Sequence, residues 1–309
     1  MPKYFLIDTD TASDDAVALM MALRASDVEV VAITTVAGNV KLEQATRNAL
    51  TVVERCDATV PVYAGLYKPI LRAPSDATFF HGQDGMGDTN LPPPVRRAAN
   101  EHAVDAIIRV IGEYEHRITL VTLGPLSNIA AALMRAPELA QQIEQCYVMG
   151  GAANTIGNIT PAAEYNIWCD PHAAQLVFRS GMPVLMIGHE HSLGDAVLSS
   201  ADLDALRDSG DLGRFAVDIN AAALRASTSW LREAGLTQPD PVAMAVALDP
   251  TICTVRERCY VDVETTGEFT GGMTVVDRWG VLNQEPNIDV CFAIDAPRWK
   301  ALLRQLLKD

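Results

Sequence analysis

The chain opens on Tyr4-Phe5-Leu6-Ile7, an apolar run that ends abruptly in Asp8-Thr9-Asp10-Thr11-Ala12-Ser13-Asp14-Asp15. Beyond that turn Ala16, Val17, Leu19, Met20 and Leu23 recur at helical spacing, so the pattern reads strand, acidic turn, helix. Ser13 is the expected helix cap, with Asp14 and Asp15 at the positive end of the helix dipole. The alternation then repeats. Residues 28–36 are rich in β-branched side chains and stop at Ala37-Gly38-Asn39, residues 42–53 have helical spacing, and residues 60–63 form a short strand. Residues 68–94 are rich in Gly, Pro and Asp and weakly periodic, a long loop of the kind that usually carries function. Further helices are expected at 103–114, 127–134, 171–179, 212–234, 241–248 and 297–307. Further strands are expected at 118–123, 145–149, 183–187, 260–264, 273–277 and 287–293. Strand and helix in turn predict an α/β fold with a mostly parallel sheet covered by helices.

Composition narrows the class. A chain of 309 residues with 49% apolar side chains can bury a large core, and without a convincing linker it reads as one domain over residues 1–309. Thirty-nine acidic against 24 basic residues give a formal charge of -15, which argues against nucleic acid or an anionic membrane as partner. Asp8 interrupts the first apolar run too early for a signal segment, and no run is long enough to span a bilayer. The six cysteines contain no CxxC spacing and read as reduced residues of a cytoplasmic protein.

The chemistry concentrates at strand ends. Four carboxylates within the eight residues from Asp8 to Asp15 repel one another, and a hard cation among them relieves that repulsion. A solvated acidic turn is the plain alternative, but ligands in α/β folds collect beyond the carboxyl ends of the strands. Asn39, Leu123-Gly124-Pro125, Gly157-Asn158, Glu164-Tyr165-Asn166 and Asp240-Pro241 mark other element ends. Together they form an oxygen-rich set suited to calcium or magnesium and a polyhydroxylated ligand, whereas zinc usually takes His or Cys. His189-Glu190-His191 has a spacing seen in transition-metal sites, yet HxH alone is a weak signal, and a structural or pocket-edge role is expected.

Asp8-Thr9-Asp10-Thr11-Ala12-Ser13-Asp14-Asp15-Ala16 resembles the signature of the inosine-uridine preferring nucleoside hydrolase family. So do Thr34–Asn39, His81-Gly82-Gln83-Asp84-Gly85-Met86-Gly87, Leu123–Asn128, Met149–Ala152, Gly157-Asn158, Ala163–Asn166, Asp240-Pro241 and Gly272–Asp277, in family order. The resemblance implies a calcium-dependent N-ribohydrolase that splits a ribonucleoside into ribose and free base. It also implies a single α/β domain with a Rossmann-like central sheet, assembled as a homodimer or homotetramer. By the same resemblance Asp10, Asp15, Asp240 and the Leu123 carbonyl hold calcium, and Asp14 is the general base toward a calcium-bound water. Asn39, Asn158, Glu164 and Asn166 match the ribose-holding residues, and Asp8 is expected to orient the loop. His81 matches a histidine near the base and is the expected catalytic and base-contacting partner of Asp14, with a loop-organising role as its alternative. Trp230 lies on a helix whose family counterpart lines the pocket mouth, and a core or interface aromatic is its alternative.

One departure matters. Many members carry a histidine immediately before the late calcium-binding aspartate, a candidate acid for the leaving base; here Thr237-Gln238-Pro239-Asp240 puts Pro239 there. That substitution puts the usual inosine and uridine preference in doubt. Two rivals stay open. Asp8-Thr9-Asp10-Thr11 also resembles the opening of haloacid-dehalogenase-type magnesium phosphatases, which further need a suitably placed lysine. A non-catalytic nucleoside- or ribose-binding protein on the same fold would keep the ribose contacts and could lose Asp14.

Overall fold

The computed structural model describes residues 2–308, so Met1 and Asp309 at the ends of the expected domain lie outside the described residues. Among the described residues nine strands form one sheet: β1 Lys3–Thr9, β2 Val28–Thr35, β3 Val62–Ala64, β4 Ile118–Thr122, β5 Ile143–Met149, β6 Val184–Ile187, β7 Cys253–Val263, β8 Thr274–Asp277 and β9 Ile288–Ile294. Their order is β3-β2-β1-β4-β5-β6-β9-β7-β8. The pairs from β3 through β9 are parallel, and β7 and β8 close that side antiparallel. The result is a single α/β domain with a mostly parallel central sheet flanked by helices.

Alternation along the strands explains the layering. Phe5 and Ile7 face one apolar core while Leu6 faces the other; Tyr147 and Met149 again part from Cys146 and Val148, as a period of two requires. The first core is roofed by the helices Ser13–Arg24, Leu42–Arg55, Pro239–Leu248 and Ala296–Leu306, the second by Ala103–Tyr114, Ser127–Arg135 and Pro171–Phe178. Because the parallel strands are covered on both faces, they read as continuous apolar runs.

After β1 the chain winds outward through β2 and β3, then returns to place β4 on the other flank of β1. The strand order reverses between β1 and β4. Loops leaving their carboxyl ends diverge, and a crevice opens there.

Several expected elements differ. The helix predicted over 212–234 is two helices, Asp211–Ile219 and Ala221–Ser229, broken at Asn220, whose Nδ2 donates to Ser13 O (3.1 Å) and Ala216 O (2.8 Å). Ser13 is not a cap: the residue before the helix is Ala12, and Asp15 Oδ2 accepts the Ala12 N–H at 2.9 Å. The loop over 68–94 contains the short helix Thr78–His81. The helix Ser200–Arg207 was not expected.

Candidate active site

The crevice gathers the acidic residues. β1 delivers Asp8 and Asp10, and the first turn of Ser13–Arg24 carries Asp14 and Asp15. Asp240 arrives from the first turn of Pro239–Leu248, a helix that Pro239 starts because its missing N–H costs nothing there. Carboxylate oxygens of Asp14, Asp15 and Asp240 all lie within 4.8 Å of one another, and the three residues are buried.

Asp15 is tied down on both oxygens: Thr9 Oγ1 donates to Oδ1 (2.5 Å), and Ala12 N and Asn39 Nδ2 donate to Oδ2 (2.9 and 3.4 Å). Asp10 Oδ2 accepts the Asn39 N–H at 2.5 Å. A Cβ at Gly38 or Gly124 would collide with this carboxylate, which is why the turns after β2 and β4 carry glycine there. Asp10 is not one of the three converging carboxylates, and Asp8 stands apart as well. Its Oδ1 accepts from Thr34 Oγ1 (2.5 Å) and Asn128 Nδ2 (2.8 Å), so it bolts β1 to β2 and to the helix Ser127–Arg135.

Burial penalises charge throughout. It lifts Asp14 and Asp15 to about 6 and Asp8 to about 7. Asp10 and Asp240 stand well above the ordinary carboxylate range, first through burial and then through the negative charge of their neighbours. Asp10 Oδ1 and Asp14 Oδ1 are buried without a hydrogen-bond partner. Buried carboxylates with spare oxygens and mutual repulsion fit a hard divalent cation, and every donor offered is oxygen.

In front of the acids lies a partly enclosed pocket that opens to solvent. Its lining includes Asp14, Leu123 and Asp240 at the floor group, together with Asn39, His81, Asn158, Glu164, Asn166 and Trp230. All the residues expected to hold substrate therefore meet in one cavity. Asn166 Nδ2 donates to Leu123 O (2.8 Å), and Asn158 Oδ1 accepts the Tyr165 N–H (2.9 Å). Glu164 accepts backbone N–H groups from Gly151, Asn166 and Ile167, while burial raises its pKa.

His81 Nδ1 lies 2.9 Å from Ser13 Oγ and 3.6 Å from Asp14 Oδ1. Burial lowers its pKa to about 4, so at neutral pH it is a neutral imidazole with one N–H to donate. Trp230 is not a core aromatic. It is 48% exposed at the pocket edge and meets Phe79 edge-on at 4.9 Å, with Phe80 at 6.4 Å. Phe79 and Phe80 also line the pocket, and the sequence reading missed them. They sit in the short helix Thr78–His81 within a stretch of aperiodic sequence, and only their place immediately before His81 could have marked them.

Among the described residues the His189-Glu190-His191 segment joins no cluster of metal-ligating side chains. His189 Nε2 is spent on Ile156 O (2.7 Å) and His191 Nε2 on Cys291 O (2.9 Å), and His189 lines the pocket edge. No lysine lines the pocket, as the phosphatase alternative requires. Among the described residues no helix is long and apolar enough to cross a membrane.

An acid-floored, carboxamide-lined crevice at the switch point of a parallel sheet has the donor and acceptor chemistry of a polar small-molecule site. The chain matches the inosine-uridine preferring nucleoside hydrolase family over residues 5–301 and belongs to that family. It is 39% identical to the non-specific ribonucleoside hydrolase RihC of Salmonella enteritidis over 292 residues, covering 94% of this chain and 93% of the relative. Among solved structures, a plant nucleoside hydrolase superposes with a TM-score of 0.92 at 31% identity, covering 100% and 99% of the two chains. A purine-preferring ribonucleoside hydrolase from Gardnerella vaginalis gives 0.90 at 33% identity, with 99% of each chain covered.

Proposed function

We infer that the protein hydrolyses the N-glycosidic bond of ribonucleosides, releasing ribose and free base, with Asp14 as general base and calcium as the metal. The observation that carries this reading is the convergence of Asp14, Asp15 and Asp240, of which Asp14 and Asp240 line a pocket walled by Asn39, Asn158 and Asn166. Asp10, Asp15, Asp240 and the Leu123 carbonyl are the groups that would hold the cation. When bound, calcium supplies Lewis-acid polarisation of the attacking water and a seat for the ribose diol. Asp14 Oδ1, buried and unpartnered, would take the proton of the attacking water. Asn39, Asn158, Glu164 and Asn166 offer donors and acceptors that match sugar hydroxyls. As the base departs, positive charge grows on the ribosyl ring, and the surrounding carboxylates stabilise it where it develops. Phe79 and Trp230 offer apolar faces to the base, and Pro239 has no proton to give it.

The test is a panel assay for released reducing sugar. Ribonucleosides should be cleaved, 2'-deoxyribonucleosides should be poor, and a phosphomonoester should be inert. Because Pro239 cannot protonate the leaving base, p-nitrophenyl riboside should be turned over faster than natural ribonucleosides. Full activity on deoxyribonucleosides would contradict the diol contact, and phosphate release would restore the phosphatase alternative.

A second expected result concerns stability. Asp8, Asp14 and Asp15 hold protons in the folded state at pH values where the unfolded chain, near 3.8, has released them. Their contribution is therefore present at low pH and is lost as pH rises through about 6 to 7. Chelated protein should show a higher Tm at pH 5 than at pH 8, and calcium should raise Tm more at pH 8. Scanning calorimetry with and without chelator checks this; a calcium shift that is larger at pH 5 would contradict it.

The same reading treats residues 1–309 as one nucleoside hydrolase domain in a cytoplasmic homodimer or homotetramer. The six free cysteines support the compartment, and exposed Phe269, Trp279 and Val281 support self-association.

A further inference from the structure

We propose that Ser13 is a positioning residue that locks His81 in the tautomer carrying its proton on Nε2, presenting an N–H donor to the leaving base. The proposal rests on the ribonucleoside hydrolase reading for its functional half. Its structural half stands on hydrogen-bond satisfaction alone.

Ser13 is wholly buried, and His81 is 5% exposed. The only partner of the Ser13 hydroxyl among the described residues is His81 Nδ1, at 2.9 Å. Two arrangements are open to that pair. If Nδ1 carried the proton and donated to Ser13 Oγ, the serine's own O–H would be buried with no acceptor, which is costly. If Ser13 donates to Nδ1, both groups are satisfied and the imidazole proton moves to Nε2. Asp14 Oδ1 does not reverse this preference, since at 3.6 Å it is beyond hydrogen-bonding reach of Nδ1. It stays available to the attacking water.

The serine is itself held. Asn220, in the break between Asp211–Ile219 and Ala221–Ser229, donates from Nδ2 to the Ser13 carbonyl (3.1 Å), and Gln238 Nε2 donates to Asn220 Oδ1 (3.0 Å). A buried relay of amides thus fixes the Ser13 backbone from the segment that leads into Pro239 and Asp240. His81 Nε2 has no hydrogen-bond partner among the described residues, and His81 lines the pocket beside Phe80 and Trp230. Pro239 lines the same pocket and has no proton to offer, and a ring nitrogen or carbonyl of the departing base is the chemistry that would accept the His81 donor.

The experiment has two arms. Long-range proton–nitrogen correlation spectra of calcium-loaded enzyme, with the His81 signals assigned by their loss in His81→Gln, should show a protonated Nε2 and a bare Nδ1. In Ser13→Ala the Nδ1-protonated form should become populated. Protonated Nδ1 in the unaltered enzyme, or an unchanged tautomer in Ser13→Ala, would overturn the proposal. The kinetic arm compares leaving groups. Ser13→Ala should lower kcat on natural ribonucleosides by about 5-fold, the worth of one neutral hydrogen bond, with little change in KM. On p-nitrophenyl riboside, which needs no help to leave, the loss should stay within about 2-fold. His81→Gln, which can imitate an Nε2 donor, should retain more activity on natural substrates than His81→Asn, and the reverse order would also overturn it. Should the unaltered enzyme cleave neither substrate, the hydrolase reading fails, and the spectra still decide the tautomer.

Discussion

Replacing Asp14 with Asn should leave a folded, calcium-binding protein whose kcat on ribonucleosides is lower by ~10²–10⁴-fold, the usual worth of a positioned general base. Asn keeps the size of the side chain and relieves part of the negative charge that Asp14 imposes on Asp15 and Asp240. The fold should therefore lose nothing. KM should change little, because the ribose contacts assigned to Asn39, Asn158, Glu164 and Asn166 are untouched. Steady-state kinetics beside calorimetric calcium titration separate the outcomes. A loss of calcium affinity that matches the loss of rate would make Asp14 a primary ligand instead, a role its place in the tight carboxylate group keeps open.

That openness shows what the linear chain could and could not reveal. The acidic turn was legible because an apolar strand leading into four carboxylates is a local pattern, and the parallel sheet was legible because apolar runs alternated with helical spacing. The convergence of Asp240 on Asp14 and Asp15 depends on the helix Pro239–Leu248 packing against Ser13–Arg24, a contact between distant segments. No local pattern encodes it; the family resemblance carried it. Phe79 and Phe80 were missed because an aperiodic stretch of sequence gives no face to assign them to. Asn220 breaks a segment of continuous helical spacing, and its reason is tertiary: its amide serves Ser13 and Gln238. Ser13 itself misled because serine before two acids is a strong cap signal. The capping was taken by Asp15, and the hydroxyl went to His81. The helix Ser200–Arg207 buries only Leu203 and Leu206, too thin a stripe to read, although Ser199 and Asp202 form a capping box that marked its start.

Replacing Asp240 with Asn should have the broader effect, since it removes a proposed ligand and not only a base. Calcium affinity should fall by more than the ~10–100-fold typical of groups that merely support a ligand. With the cation weakly held, the polarisation of water and the seat for the ribose diol go together, so kcat/KM at fixed calcium should drop by on the order of 10³-fold or more. Stability should move in the opposite sense when chelator is present. Asp240 is a buried carboxylate raised by burial and by the charges of Asp15, Asp14 and Asp10, so at pH 8, far above its unfolded value, the metal-free protein bears the cost of either a buried charge or a bound proton there. Asn at this position carries no charge, and the chelated variant should melt higher at pH 8 than the chelated parent. Added calcium should then raise the parent's Tm far more than the variant's. Asn is preferred to Ala for this comparison because it preserves packing beside Pro239 and Pro241 in the first turn. Equal calcium affinity in variant and parent would remove Asp240 from the metal site, whereas lost affinity without a gain in chelated stability would mean that its buried charge is already relieved by the protein.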